Sequence, residues 1–353
     1  MPLLTRMVAT PLAIDVRSGA VEALGPLLAD RRISSEGHVA VAVGPMLGEE
    51  LANTLRPKLE NCEFFQVEGG TLEAARGLAT KLREGSFDAL VGIGGGRTLD
   101  VAKYAATLTG LPMVAVATNL AHDGIASPVS SLVHDGHKGS YGVQMPMAIV
   151  VDLDYVRRSE DRMRRSGIGD TVSNLSAIAD WRLAEEARGE PVDGIAVTFA
   201  HTAAAAVLHR EDGIDDDAFL VALAESLVLS GLAMATAGSS RPCSGGEHEI
   251  LHAVDQLYPD NDANHGELAG AASLFTSFLQ GNETQAALID GCLSRHGLPR
   301  TPRELGLDDS QFAEAVLRAP STRPDRYTIL EHLDLDEEGV RGRIGAYLEA
   351  FDR

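Results

Sequence analysis

The sequence predicts an α/β fold in which an N-terminal parallel-sheet domain is followed by an all-helical domain. Three observations predict it. Apolar, β-branched runs recur through the first 150 residues, segments with helical apolar spacing separate them, and Ala/Leu-rich segments replace this pattern after Asp154. The 353 residues suffice for one large or two ordinary domains. The division is expected between 1–154 and 155–353, with the site in the cleft between the domains.

The expected strands are His38–Val43, Glu63–Val67, Asp88–Ile93, Met113–Ala117 and Met147–Val151, and the first four begin 25 residues apart. Helical spacing is read over Leu47–Leu59, Thr71–Leu82 and Leu99–Leu108. Alternation at this interval is the mark of βαβ units, whose ligands sit at the carboxyl ends of the strands. Beyond the boundary near residues 152–160, helices are expected at Gly169–Arg188, Val197–His209, Asp217–Ala237, Gly246–Leu257, Gly266–Leu279, Gln285–Arg295, Asp309–Leu317 and Glu337–Phe351.

Composition narrows the partners. Thirty basic against 51 acidic residues leave a net charge of −21, which repels phosphodiester backbones and anionic lipid surfaces, so nucleic acid is excluded as a partner. With 44% hydrophobic and 23% charged residues the chain is globular. No apolar run is read as long enough to span a membrane. Met1 to Met7 show no secretion signal, which predicts a cytoplasmic protein. Cys62, Cys243 and Cys292 are too few and too far apart for a disulfide framework or a cysteine zinc site. The lysines are Lys58, Lys81, Lys103 and Lys138, so every basic side chain from residue 139 onward is arginine.

Five segments carry chemistry. Val91-Gly-Ile-Gly-Gly-Gly-Arg-Thr-Leu-Asp100-Val-Ala-Lys103 runs from a strand through three glycines into a helix, where bare amides at a positive helix end suit a pyrophosphate. The next strand ends in a loop dense in Thr118, Asn119, His122, Asp123 and Ser127, polar groups placed where a ligand belongs. Gly167-Ile-Gly-Asp170 is read as opening a helix, so Asp170 is either a helix cap or a ligand. Ser244-Gly-Gly-Glu-His248-Glu-Ile-Leu-His252 sets two imidazoles on one helical face, and Asn264-His265-Gly-Glu267 begins the next helix. A carboxylate and two imidazoles from three helices suit zinc or a similar divalent ion with a coordination position left open.

The elements GIGGGRTLDVAK, ATNLAHDGIASP, SGIGDTVSN, SRPCSGGEHEILHAVD and HGELAG, in this order, resemble the sn-glycerol-1-phosphate dehydrogenase family of the iron-containing alcohol dehydrogenase and dehydroquinate synthase-like superfamily. The likeness runs from about residue 10 to 300. It implies a Rossmann-like N-terminal domain, NAD or NADP, one divalent metal ion (zinc, with nickel and iron as alternatives), a small-molecule substrate and a homo-oligomer. By the resemblance Gly94, Gly95, Gly96, Arg97, Thr98, Leu99 and Asp100 surround the pyrophosphate, and Thr118, Asn119, Leu120, Ala121 and Ser127 contact the rest of the dinucleotide. Asp170, His248 and His265 match the metal ligands, and Asp123, His252 and again Asp170 match substrate-contacting catalytic positions. Cys243, Gly246 and Leu268-Ala269 depart from the family pattern.

The implied reaction is reversible hydride transfer between NAD(P)H and dihydroxyacetone phosphate, giving sn-glycerol 1-phosphate, with His252 positioning substrate or relaying a proton and Arg241 clamping the phosphate. Gly44-Pro45 follows the strand His38–Val43 in place of the acidic residue that selects NAD, which leaves both cofactors open. Two catalytic rivals stand beside this reading, besides a non-catalytic binding or regulatory protein that keeps the fold, against which retention of all three proposed metal ligands counts. One is a polyol dehydrogenase acting on an unphosphorylated substrate. The other is a dehydroquinate synthase-like sugar-phosphate cyclase, against which the lack of lysine after Lys138 counts.

Overall fold

The structure, a computed structural model, describes residues 10–352. The Met1–Met7 stretch, which carries the expectation about localisation, lies outside them. Two compact units are formed. The first takes the described residues up to Asn119, then Gly124–Arg158 and Gly231–Ser239; the second takes Leu120–Asp123, Ser159–Ser230 and the described residues from Ser240.

In the first unit the strands are β1 (Ala13–Arg17), β2 (Val39–Val43), β3 (Cys62–Gln66), β4 (Ala89–Gly94), β5 (Met113–Ala117), β6 (Val129–His134), β7 (His137–Gly142) and β8 (Ala148–Asp152). Six of them form a parallel sheet in the order β1-β8-β5-β4-β2-β3, and β6 with β7 makes a separate antiparallel hairpin. Every residue of β2, β4, β5 and β8 is buried, which is why these strands read as unbroken apolar runs. Val39, Val41, Val43, Val91, Ile93, Val114, Val116 and Val150 share one cluster with Leu24, Leu28, Leu51 and Leu55. Each such side chain contributes about 1.5–3 kcal/mol by burial.

Two strand features escape a reading of the sequence. β1 is an edge strand whose Ile14 stays 46% exposed, so its Ala-Ile-Asp-Val-Arg sequence has no continuous apolar run. The β6–β7 hairpin turns at Asp135-Gly136, with φ of 50° and 79°, the pairing that favours a tight hairpin turn.

The helices of this unit are α1 (Leu24–Leu28), α2 (Leu47–Leu55), α3 (Leu72–Gly85), α4 (Gly96–Thr109) and α5 (Leu153–Val156). The chain leaves β2 for β3 on one side and returns as β4 on the other. The carboxyl ends of β2 and β4 therefore form the switch point at which an open α/β sheet binds ligands.

The remaining helices are α6 (Asp161–Val172), α7 (Asn174–Arg188), α8 (Gly194–Leu208), α9 (Asp217–Ala237), α10 (Gly246–Leu257), α11 (His265–Leu279), α12 (Glu283–Arg295), α13 (Asp309–Arg318), α14 (Ile329–Leu333) and α15 (Glu337–Phe351). One expected helix, Gly169–Arg188, is in fact two. α6 begins eight residues earlier and ends where the Ser173 hydroxyl donates to the Asp170 carbonyl at 2.7 Å. Its glycines are interior to the helix, so they mark packing rather than a helix start. A second correction concerns α9, which is long and apolar enough by composition to cross a bilayer, against the expectation that no run is. Its apolar window is 61% buried inside the protein, with Phe219, Leu220, Leu223 and Leu227 at 0% exposure, as in a core helix. The three cysteines are free, as expected.

Candidate functional site

The glycine loop sits at the switch point. Gly44, after β2, donates its N–H to the Ile93 carbonyl at 2.9 Å, and a methyl carbon at Gly44 would fall 2.2 Å from the Thr98 hydroxyl. Gly94 takes φ +156°, and a methyl carbon there would lie 2.8 Å from the Thr98 Cβ; at Gly95 it would lie 2.6 Å from the Asn119 amide nitrogen. Only glycine avoids these contacts. No side chain caps α4 at Gly95, and the first-turn amides of a helix lack intrahelical acceptors, so the loop presents N–H groups and the positive end of α4 to an anion.

The residues expected around the dinucleotide divide by burial. Gly95 and Gly96 are half-buried, Arg97 is exposed, and Asn119 flanks Gly95. Thr98, Leu99, Asp100, Thr118 and Ser127 are buried and hold the loop from below. Asp100 pairs with fully buried Lys103 at 3.0 Å, and Lys103 also donates to the Ser127 carbonyl at 3.2 Å and to the Val129 carbonyl. Removing one partner from a buried pair of this kind costs about 3–5 kcal/mol. Leu120 and Ala121 belong to the second unit and lie against α6: the Ser166 hydroxyl donates to the Ala121 carbonyl at 3.0 Å, and a methyl carbon on Gly167 would meet the Leu120 carbonyl oxygen at 2.0 Å.

In the second unit α6 and α11 cross backbone to backbone. A methyl carbon at Gly266 would lie 1.8 Å from the Ser166 carbonyl oxygen, and one at Gly169 would lie 2.1 Å from that of Gly266. The close crossing places Asp170, from the last turn of α6, beside His265, the first residue of α11, with 3.4 Å between Oδ1 and Nε2. His248, from the first turn of α10, brings its Nε2 to 3.9 Å from the same oxygen. One ligand atom from each of these three residues lies within 4.8 Å of the others. Asp170 is therefore no helix cap. Burial pushes its carboxyl up, yet the hydrogen bond from His265 and the charges of His265, His248 and His122 outweigh this and hold it at about 2.

The buried carboxylates beside this cluster are explained by the start of α10. Gly245 donates its N–H to Glu247 Oε1 at 2.6 Å, and Gly246 donates to Asp180 Oδ2 at 2.8 Å, so two orphan amides of the helix are satisfied. Glu247 Oε1 also accepts the Nδ1 proton of His248 at 2.9 Å, which turns the His248 Nε2 toward Asp170. A carboxylate that fixes a ligand tautomer in this way is characteristic of metal-binding histidines. Burial and the like charge of Glu247 push Asp180 up to about 7.

The imidazoles form a row. Ring centroids are 5.4 Å apart from His122 to His265, 5.3 Å from His265 to His248, and 6.4 Å from His248 to His252. Asp123 donates its backbone N–H to Asp170 Oδ2 at 2.8 Å. At the end of the row the Nη2 of Arg323 donates to His252 Nε2 at 3.1 Å. Arg241, the expected phosphate clamp, is engaged by a carboxylate of the protein. Its Nε and Nη2 each lie 2.7 Å from the Glu190 carboxylate, and Nη2 also donates to the Tyr327 carbonyl at 3.0 Å. The sequence reading misses Arg323, although Arg-Pro-Asp-Arg is a recognisable turn with a cation at each end.

Known proteins resemble this chain in sequence and in fold. Residues 15–159 match the model of the iron-containing alcohol dehydrogenase family. The chain is 34% identical over 326 residues to a glycerol-1-phosphate dehydrogenase [NAD(P)+] of Methanosarcina acetivorans, covering 91% of this chain and 90% of the relative. It is 36% identical over 337 residues to that of Hyperthermus butylicus, covering 94% and 95%. Among solved structures, a probable glycerol dehydrogenase from Sinorhizobium meliloti 1021 superposes with a TM-score of 0.81 at 20% identity, covering 99% of both chains. A glycerol dehydrogenase from Schizosaccharomyces pombe superposes with a TM-score of 0.76 at 20% identity, covering 99% of this chain and 91% of its own.

Proposed function

The chain belongs to the glycerol-1-phosphate dehydrogenase family, and from that premise we propose that it reduces dihydroxyacetone phosphate to sn-glycerol 1-phosphate, reversibly, with NADH or NADPH. The observation that carries this reading is the convergence of Asp170, His248 and His265 on one point, with the His248 tautomer set by Glu247. One carboxylate oxygen and two imidazole nitrogens suit zinc, with nickel and iron as alternatives.

When bound, the ion supplies Lewis-acid polarisation of a ketone oxygen and the nicotinamide supplies hydride. The chain does the rest. Asp170, His248 and His265 hold the ion, and Glu247 keeps the Nδ1 proton of His248 away from it. Gly94, Gly95, Gly96 and Arg97, with Asn119, receive the dinucleotide, while Thr98, Leu99, Asp100, Thr118 and Ser127 shape the loop from beneath and Leu120 and Ala121 continue it. His252 accepts the Arg323 N–H at Nε2, which puts the ring's own proton on Nδ1, where it donates a hydrogen bond to a substrate oxygen and positions it. Asp123, next to Asp170 through its amide, orients a substrate hydroxyl.

The test follows oxidation of NADH and of NADPH by the zinc-loaded protein with dihydroxyacetone phosphate, with dihydroxyacetone and with neither. Oxidation that requires the phosphorylated ketone is expected. Preference for dihydroxyacetone establishes the polyol dehydrogenase instead, and no oxidation with either ketone returns the cyclase to consideration.

A further inference from the structure

We infer that Arg323, with Arg326 beside it, forms an anion subsite that takes the phosphate of the substrate, the role first expected of Arg241. The inference rests on the reading of the substrate as a phosphorylated ketone, and it concerns residues of the second unit alone.

The local sequence Arg323-Pro324-Asp325-Arg326 is a β-turn, closed by the Arg326 N–H on the Arg323 carbonyl at 2.9 Å, with proline at the position where its fixed φ is favoured. The turn holds the two arginines close at its ends. It is anchored to α10, because the Thr322 hydroxyl reaches the Glu249 carbonyl at 3.4 Å and the Thr328 hydroxyl reaches the Glu249 carboxyl at 3.2 Å. Arg323 reaches His252 at 3.1 Å, and His252 lies one turn along α10 from His248. A three-carbon chain whose carbonyl is near His248 and His265 therefore carries its terminal phosphate toward Arg323.

The charge distribution distinguishes the three arginines of this region. Arg241 is matched by the two oxygens of Glu190. Arg326, by contrast, donates to the Ser244 carbonyl and the Ser240 hydroxyl, neither of which carries a charge. Asp325 and Glu249 oppose the charge of Arg323, and Glu249 and Glu247 oppose that of Arg326. Even so, burial draws the guanidinium of Arg323 down, and burial with the like charges of Arg323 and Arg241 draws Arg326 down to about 10. A phosphate between the forks relieves that repulsion, and the planar guanidinium matches its oxygens two at a time.

The experiment uses the zinc-loaded protein with Arg323→Gln, Arg323→Lys and Arg326→Gln, each checked by thermal melting and zinc content. Two quantities are read: the ratio of kcat/KM for dihydroxyacetone phosphate to that for dihydroxyacetone, and the affinity for inorganic phosphate by calorimetry. Arg323→Gln is expected to lower the ratio by about 100-fold and to weaken phosphate binding to a similar degree, the size of a lost charge-assisted fork. Arg323→Lys recovers part of both, since the charge returns without the fork, and this holds the test open should the Gln variant fold poorly. Arg326→Gln moves both in the same direction by about 10-fold. Equal loss on both ketones, or phosphate binding unchanged in Arg323→Gln, overturns the subsite. Should the wild-type protein itself prefer dihydroxyacetone, the substrate reading fails, while the phosphate titration still decides the subsite by loss or retention of binding.

Discussion

Glycine does different things in the two regions proposed to carry the chemistry. At Gly94 and Gly95 the missing side chains make room for the side chains of Thr98 and Asn119, in the loop proposed to receive the dinucleotide. At Gly169, Gly266 and Gly270 the space is filled by backbone, as α6 and α11 approach until a methyl carbon would sit 1.8 to 3.0 Å from it, and at Gly167 by the Leu120 carbonyl oxygen at 2.0 Å. Both regions look alike in sequence. One set of glycines faces side chains; the other faces backbone and sets the distance between Asp170 and His265.

The contrast breaks most sharply at Gly266→Ala. With the Ser166 carbonyl oxygen 1.8 Å from the new carbon, the crossing must open, and we expect a loss of stability of about 3 kcal/mol or more in urea denaturation, together with loss of bound zinc. His265→Ala tests the consequence without the strain: zinc binding and activity are expected to vanish together while the fold persists, and a fully active variant would falsify the triad. On the other side, Gly95→Ala meets the side chain of Asn119, which can move. It should keep its zinc and its melting temperature and weaken NADH binding by about 10- to 100-fold, read by fluorescence titration. Zinc loss in Gly95→Ala would show that the two glycine sets are not separate devices.

Smaller effects sharpen the picture at α10. Glu247→Gln is expected to lower zinc affinity by about 10- to 100-fold without abolishing it, because the ligand stays while its tautomer loosens. Asp180 gives a pH signature. Its carboxyl is raised in the folded protein from the usual 3.8 to about 7, so the folded state holds the proton more tightly than the unfolded chain does. The contribution is fully present below the unfolded value and is lost as pH rises toward about 7, with a slope of at most about 1.4 kcal/mol per pH unit. Asp180→Asn should flatten the fall in stability over that window, and an unchanged slope would mean that Asp180 titrates elsewhere.

Much of this is legible in the chain. Parallel strands buried on both faces must be apolar throughout, so β2, β4, β5 and β8 announce themselves, and Asp170, His248 and His265 stand out as metal-competent side chains near glycine. β1 does not, being an edge strand with half its residues toward solvent. Gly167-Ile-Gly169 misleads, because the same residue type marks a helix start or a close crossing, and only the neighbour across the gap distinguishes them.

What the sequence determined by itself was periodicity and residue type: the alternation of strand and helix, the glycine turn after β4, and the carboxylate and imidazoles from three helices. Tertiary structure decided which glycines face side chains and which face backbone, that segments 120–123 and 231–239 pack with the opposite unit from their neighbours in the chain, that Glu247 fixes His248, and that Arg241 is engaged by Glu190 while Arg323 stands at His252. The reason is physical. Periodicity is a local property of the backbone, whereas a carboxylate that pairs an arginine 51 residues away, or a carbonyl that forbids a methyl group on another helix, acts only once the chain has folded.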